Sequence, residues 1–125
     1  MDKSELTTFW LDSAKHDLTV CESHFEKGHY DWCLFIGHLV LEKVLKALWI
    51  REHYPEPHPR IHNLAKLAEK FSLALSNEQK AYLLKVNDFY LQGRYPEDKY
   101  EFFKICTPEF AHENFIASRN FIYGF

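Results

Sequence analysis

Leu39-Val40-Leu41-Glu42-Lys43-Val44-Leu45-Lys46-Ala47-Leu48 is the stretch that decides the fold. It is apolar around most of a helical circumference, and such a helix belongs in the middle of a bundle. Its Glu-Lys-x-x-Lys charges must reach water along their stems, pair, or serve a site, because an isolated charge in an apolar interior is costly. Outward from this stretch, Trp32, Phe35, Ile36, Leu39, Val40, Val44 and Ala47 form one apolar stripe, and Leu34, Leu41, Leu45 and Leu48 form a second. A helix with two stripes has neighbours on two sides, so this one, starting at an Asp31 N-cap and reaching about Glu52, is expected at the centre.

The flanking segments supply the neighbours. Trp10, Ala14, Leu18, Cys21 and Phe25 recur at spacings of four and three, which predicts a first helix over about Glu5 to Glu26, ended by Gly28. His53-Tyr54-Pro55-Glu56-Pro57-His58-Pro59-Arg60 cannot be helical, because its alternating prolines remove donors and force extended geometry. A short third helix is expected over about His62 to Phe71, with Leu64, Leu67, Ala68 and Phe71 inward. Ser76 caps a fourth helix, with Gln79 at the capping-box position and Ala81, Leu84, Val86 and Phe89 inward to about Leu91. Gly93 to Thr107 reads as a polar connection with room for a helical turn near Lys99 to Phe103. Thr107-Pro108 then opens a fifth helix carrying Phe110, Phe115, Ile116 and Phe121. The expectation is an all-α, antiparallel up-and-down bundle of about five helices, one domain over residues 1–125.

The formal net charge of −3 is not that of a generally basic nucleic-acid binder, so any such role needs a local patch. Cys21, Cys33 and Cys106 contain no Cys-x-x-Cys pair and read as small hydrophobes in a reducing compartment. The opening stretch is polar and acidic, without the apolar core of a signal peptide, and no run has the length of a membrane span. A cytoplasmic protein is expected. Aromatic residues make up 17% of the chain, more apolar surface than one small bundle hides easily, which points to a homodimer.

Three polar clusters carry the candidate chemistry. His38, Glu42 and Lys46 lie one turn apart on one face of the central helix, either as a solvated stripe or as the wall of an anion-binding groove. Arg51, His53, His58, Arg60 and His62 gather between the second and third helices, where His62 is placed to cap a helix or meet an anion at its positive end. His58 and His62 flank Pro59, and no Asp, Glu or Cys completes a metal-ligand set, so no metal is expected. Tyr90, Arg94, Tyr95, Glu97 and Asp98 follow the fourth helix. There Arg94 offers a planar fork for phosphate or carboxylate and Tyr95 a ring for stacking, unless Arg94 simply pairs with the acids. Nothing signals a nucleophile, a phosphate loop or a cofactor.

The order of these pieces resembles the HEPN family (higher eukaryotes and prokaryotes nucleotide-binding). Trp10-x-x-x-Ala14-x-x-Asp17-Leu18 resembles its opening helix. Gly28-His29-Tyr30-x-x-Cys33-x-Phe35-x-x-His38-x-x-x-Glu42-Lys43-x-x-Lys46-Ala47-Leu48 resembles its most recognisable stretch. His62-Asn63-Leu64-x-x-Leu67 and Arg94-Tyr95-Pro96 resemble its next element and its late turn. The resemblance implies a helical bundle that pairs as a homodimer. It also implies a nucleotidyltransferase partner, fused or encoded separately, in two-component toxin–antitoxin systems. The chain carries no such domain and is expected to stand alone.

Many HEPN proteins are metal-independent ribonucleases with an arginine and a histidine separated by four to six intervening residues at the dimer cleft. Here Arg94 and Arg119 lack that histidine, and only Arg51 and His58 satisfy the count, across a helix end and a proline-rich loop. The leading expectation is therefore a non-catalytic, dimeric binding module for a nucleotide, an RNA or a partner nucleotidyltransferase, with His38, Glu42, Lys46, Arg51, His62, Arg94 and Tyr95 at its site. The alternatives are a ribonuclease toxin using Arg51 and His58, and a helical protein-interaction module with no nucleotide role.

Overall fold

A computed structural model describes residues 1–58, 60, 63–69, 76–94, 104 and 106–123. Among these residues the chain forms α1 (Lys3–Glu26), α2 (Tyr30–His53), α3 (Leu64–Glu69), α4 (Asn77–Arg94) and α5 (Pro108–Tyr123), and no strand. The all-α reading holds, and α2 is the central element, packed against each of the other four helices. None of the described helices is long and apolar enough to cross a membrane.

Helix α1 starts two residues earlier than expected, because Asp2 caps it, its carboxylate accepting the Glu5 N–H at 2.8 Å. Those backbone N–H groups hold the Asp2 carboxyl below the usual carboxylate range. At the other end the Gly28 N–H donates to the Phe25 carbonyl at 3.1 Å and the His29 N–H to the His24 carbonyl at 2.8 Å. This is a Schellman closure, and it places Gly28 at φ +80°. The turn is so short that α2 begins at Tyr30 with His29 in the cap position. Asp31 therefore sits inside the first turn, not at the N-cap. Its carboxylate still favours the positive end of the helix.

α1 and α2 run antiparallel as a hairpin. Cys21 meets Cys33, Asp17 meets Lys43 and Trp10 meets Lys46, a ladder that climbs α2 as it descends α1. Ala14, Leu18 and Cys21 are buried as the spacing predicts, against both stripes of α2 from Cys33 to Ile50. Cover is thinner near the start of α2, where Trp32 is 45% exposed and Phe35, Ile36 and Leu39 are half-buried.

The other helices close the remaining sides. Leu64, Leu67 and Ala68 of α3 are buried as expected, while Phe71 lies outside the described residues. The capping box of α4 is present: the Gln79 N–H donates to Ser76 Oγ at 3.1 Å, and the Ser76 N–H to Gln79 Oε1 at 2.9 Å. Its inner face differs from the expected one. Ala81 is exposed and Leu84 is 58% exposed, whereas Leu83 and Val86 are buried. Asn87 decides this orientation. Its side-chain oxygen accepts the Leu64 N–H at 2.8 Å and its amide donates to Asn63 Oδ1 at 2.9 Å, so a polar residue turns inward to satisfy the start of α3. α4 also runs through Gly93 to Arg94, beyond the expected end. The expected turn near Lys99 to Phe103 lies outside the described residues.

Thr107 caps α5, its hydroxyl accepting the Phe110 N–H at 3.1 Å ahead of Pro108. Ala111, Asn114 and Phe115 face the core. Phe25 of α1 stacks on Phe115 at 6.3 Å and lies 5.5 Å from the His112 ring.

Gly28 gives a direct test of the hairpin. A Cβ there meets nothing within 4 Å, so a substitution strains only the backbone. Gly28→Ala is expected to cost about 1–2 kcal/mol in urea unfolding, and Gly28→Asn less, because asparagine tolerates the left-handed region.

Candidate functional site

The charged stripe on α2 is buried. His38 is fully buried, and Glu42 and Lys46 are 4% and 9% exposed. The reading of a solvated face is thereby overturned. Lys46 Nζ donates to Glu42 Oε1 at 2.8 Å, and His38 Nδ1 stands 3.9 Å from Glu42 Oε2. One carboxylate is thus bracketed by a lysine one turn ahead and a histidine one turn behind. The apolar surroundings make this pair costly to break and give it little net stability over apolar residues of the same shape.

Water is kept off the pair from the α1 side. Lys46 Nζ lies 5.5 Å from the centroid of the Trp10 ring, and Trp10 meets His58 edge-on at 5.1 Å. A cation over an indole face is favourable. α1 is pinned in register by Lys43, whose ammonium reaches Asp17 at 2.6 Å and Ser13 at 2.8 Å. Lys43 and Lys46, three residues apart, therefore have separate acids and separate tasks: one ties α1 to α2, the other neutralises Glu42.

The remaining candidates are dispersed. Arg51 is exposed on the last turn of α2, about 140° around the helix from Lys46. His53 stacks on Trp49 at 3.9 Å between ring centres, with its Nδ1 3.2 Å from the Trp49 carbonyl. Arg94 is the last residue of α4. Its side chain and that of Tyr90, together with His62, Tyr95, Glu97 and Asp98, lie outside the described residues. Among the described residues no three His, Cys, Asp or Glu side chains converge as metal ligands.

Sequence spacing missed the meeting of two cysteines. Cys21 and Cys33 are both buried, their sulfurs 3.3 Å apart, and the Cys21 thiol lies 3.1 Å from the Cys33 carbonyl. Contact with Cys33 and burial push the Cys21 thiol far up. Burial, with Asp31 and Cys33 adding, pushes the half-buried Cys106 thiol up to about 12. These are inert thiols. Their positions at apolar phases of α1 and α2 were legible, but their contact depends on the register of the hairpin.

The model of the HEPN domain matches residues 7–122. The chain belongs to the HEPN family. No curated protein and no solved structure matches it. HEPN membership supports a nucleotide- or RNA-related module in general terms, and HEPN domains commonly dimerise. The segments whose order resembled the family now have physical roles: Trp10 covers Lys46, Asp17 receives Lys43, and Gly28 reverses the chain.

Two measurements check this account. Glu42→Ala strands a buried ammonium and is expected to lower stability by roughly 3–5 kcal/mol, whereas Glu42→Leu combined with Lys46→Met returns it to the wild-type level or above in the same unfolding experiment. With iodoacetamide at about pH 8, near the ordinary thiol range, the native chain is expected to remain almost unlabelled, and the urea-unfolded chain to take up label at all three cysteines.

Proposed function

We propose that this HEPN protein is a non-catalytic, homodimeric binding module of the cytoplasm that takes a nucleotide, an RNA or a partner nucleotidyltransferase. Arg51, His62, Arg94 and Tyr95 are its candidate contacts, and His38, Glu42 and Lys46 form the buried polar interior of its central helix. The observation that carries the reading is the internal pairing of the polar stripe. Glu42 is committed to Lys46 and sealed beneath Trp10, an arrangement that suits a rigid scaffold better than an acid–base group open to a substrate. Pairing with a nucleotidyltransferase in a toxin–antitoxin system is the physiological form of this proposal.

The ribonuclease reading has less support. Arg51 is exposed at one side of α2, while the His58 ring packs on Trp10, so neither is placed by the other. For the dimer, the thinly covered face of α2 offers an apolar patch of Trp32, Phe35, Ile36 and Leu39, with Trp32 edge-on to Phe35 at 6.0 Å. An aromatic patch of this kind suits self-association of a second copy.

Light scattering is expected to give a dimer, and Trp32→Glu a monomer that keeps its helical signal. Calorimetry with ATP, GTP and short RNAs, together with a pull-down of proteins from the native cell, tests the ligand. Saturable binding weakened by Arg94→Ala, or co-purification of a nucleotidyltransferase, is the expected result. A chain that binds neither ligand nor partner would sink the proposal. RNA decay without added metal that disappears in Arg51→Ala/His58→Ala would replace it with the ribonuclease.

A further inference from the structure

On a different flank of α1 from the Lys43 and Lys46 contacts, a groove of about 580 Å³ runs between α1 and α5. The two helices are antiparallel here: Phe25 meets His112 and Phe115 at one end, and Lys15 and Arg119 face the groove toward the other. Its lining combines three kinds of group. Leu18 and Phe115 give an apolar floor, Thr19 and Asn120 are neutral polar walls, and Lys15, Arg119 and Glu22 are charged. The volume lies within the range of about 300–1,000 Å³ usual for small-molecule sites.

The charge arrangement narrows the ligand. Lys15 and Arg119 are exposed, come from facing helices, and make no ion pair among the described residues. The chain as a whole is acidic, so two cations brought to one groove from residues 104 positions apart are a local exception to its charge. A guanidinium fork and an ammonium facing one space suit a phosphate, one bidentate and one as a point charge. The apolar floor suits a planar base, and the Asn120 amide offers donors and an acceptor to a base edge. The Thr19 hydroxyl donates to the His16 carbonyl at 2.6 Å, so toward a ligand its oxygen acts as an acceptor. Glu22 shares the groove and repels excess negative charge, so it favours a monophosphate over a triphosphate.

We infer that the α1–α5 groove is a nucleotide monophosphate site, with Lys15 and Arg119 holding the phosphate and Leu18 and Phe115 under the base. The inference rests on the binding-module reading above and adds to it a ligand class and a site separate from the Lys46 region. The same chemistry is presented by a free mononucleotide and by the 5′-phosphorylated end of an RNA strand.

The test is amide NMR of the intact chain titrated with adenosine 5′-monophosphate, adenosine, ATP and a 5′-phosphorylated hexauridylate. The expected result is saturable shifts at Thr19, Glu22, Arg119 and Asn120 with the monophosphate or the RNA. Adenosine and the Lys15→Ala/Arg119→Ala variant are each expected to bind about tenfold weaker or more, the size of a lost charged contact. Binding of the mononucleotide identifies a free nucleotide as the source, and binding of the RNA alone identifies a strand end. Should the double variant fold poorly, Arg119→Lys, which keeps the charge, and competition by inorganic phosphate on the wild type give the same answer. Shifts confined to other surfaces, equal affinity for adenosine, or no saturable binding of either phosphate probe would overturn the groove. Loss of binding in Arg94→Ala with no effect of the Lys15→Ala/Arg119→Ala change would overturn the groove and leave the binding-module reading standing.

Discussion

The Glu42–Lys46 pair can stay buried only while everything that excludes water from it stays in place. A desolvated ion pair adds little stability over apolar residues of the same shape, but it penalises any arrangement that separates its members. The rest of the bundle is organised around meeting that condition. Trp10 must lie over Lys46, so α1 must pack along α2 in one register, and the Lys43–Asp17 contact fixes that register from the next turn. The tight closure at Gly28 sets where the hairpin starts. Cover from α3, α4 and α5 then completes the interior around α2.

Local signals were legible in the sequence. The apolar period of α1, the glycine that ends it, the Ser76–Gln79 box and the Thr107-Pro108 start each depend on residues within a few positions of one another. Features that failed depend on hydrogen bonds that a count of apolar periods does not register. Asp31 reads as a cap in isolation, yet the Schellman closure brings the chain into α2 before that residue is reached. The α4 face was misplaced because a count of apolar residues cannot register Asn87, which turns inward to serve the backbone of α3.

The candidate site was legible as residue types and not as an environment. Spacing put His38, Glu42 and Lys46 on one face. Only tertiary structure shows that the face is sealed by a tryptophan from another helix. The convergence of Lys15 and Arg119 on one groove leaves no local trace, because each reads alone as an ordinary surface charge. Membership in the HEPN family sets a nucleotide- or RNA-related frame, and within it the chain's own departures, chiefly the lack of a histidine near Arg94 or Arg119, direct attention to binding.

The enclosure of α2 from Val40 to Ile50 also limits how the molecule can carry a signal. A close-packed segment buried at every position but Lys43 and Trp49 opens only when the bundle as a whole opens, so it belongs to the most stable cooperative unit of the chain. A ligand or a partner cannot act by bending such a helix. Any message between surfaces of this protein has to travel as a rigid displacement of the outer helices across α2, with α1 and α5 sliding or parting along the groove they share.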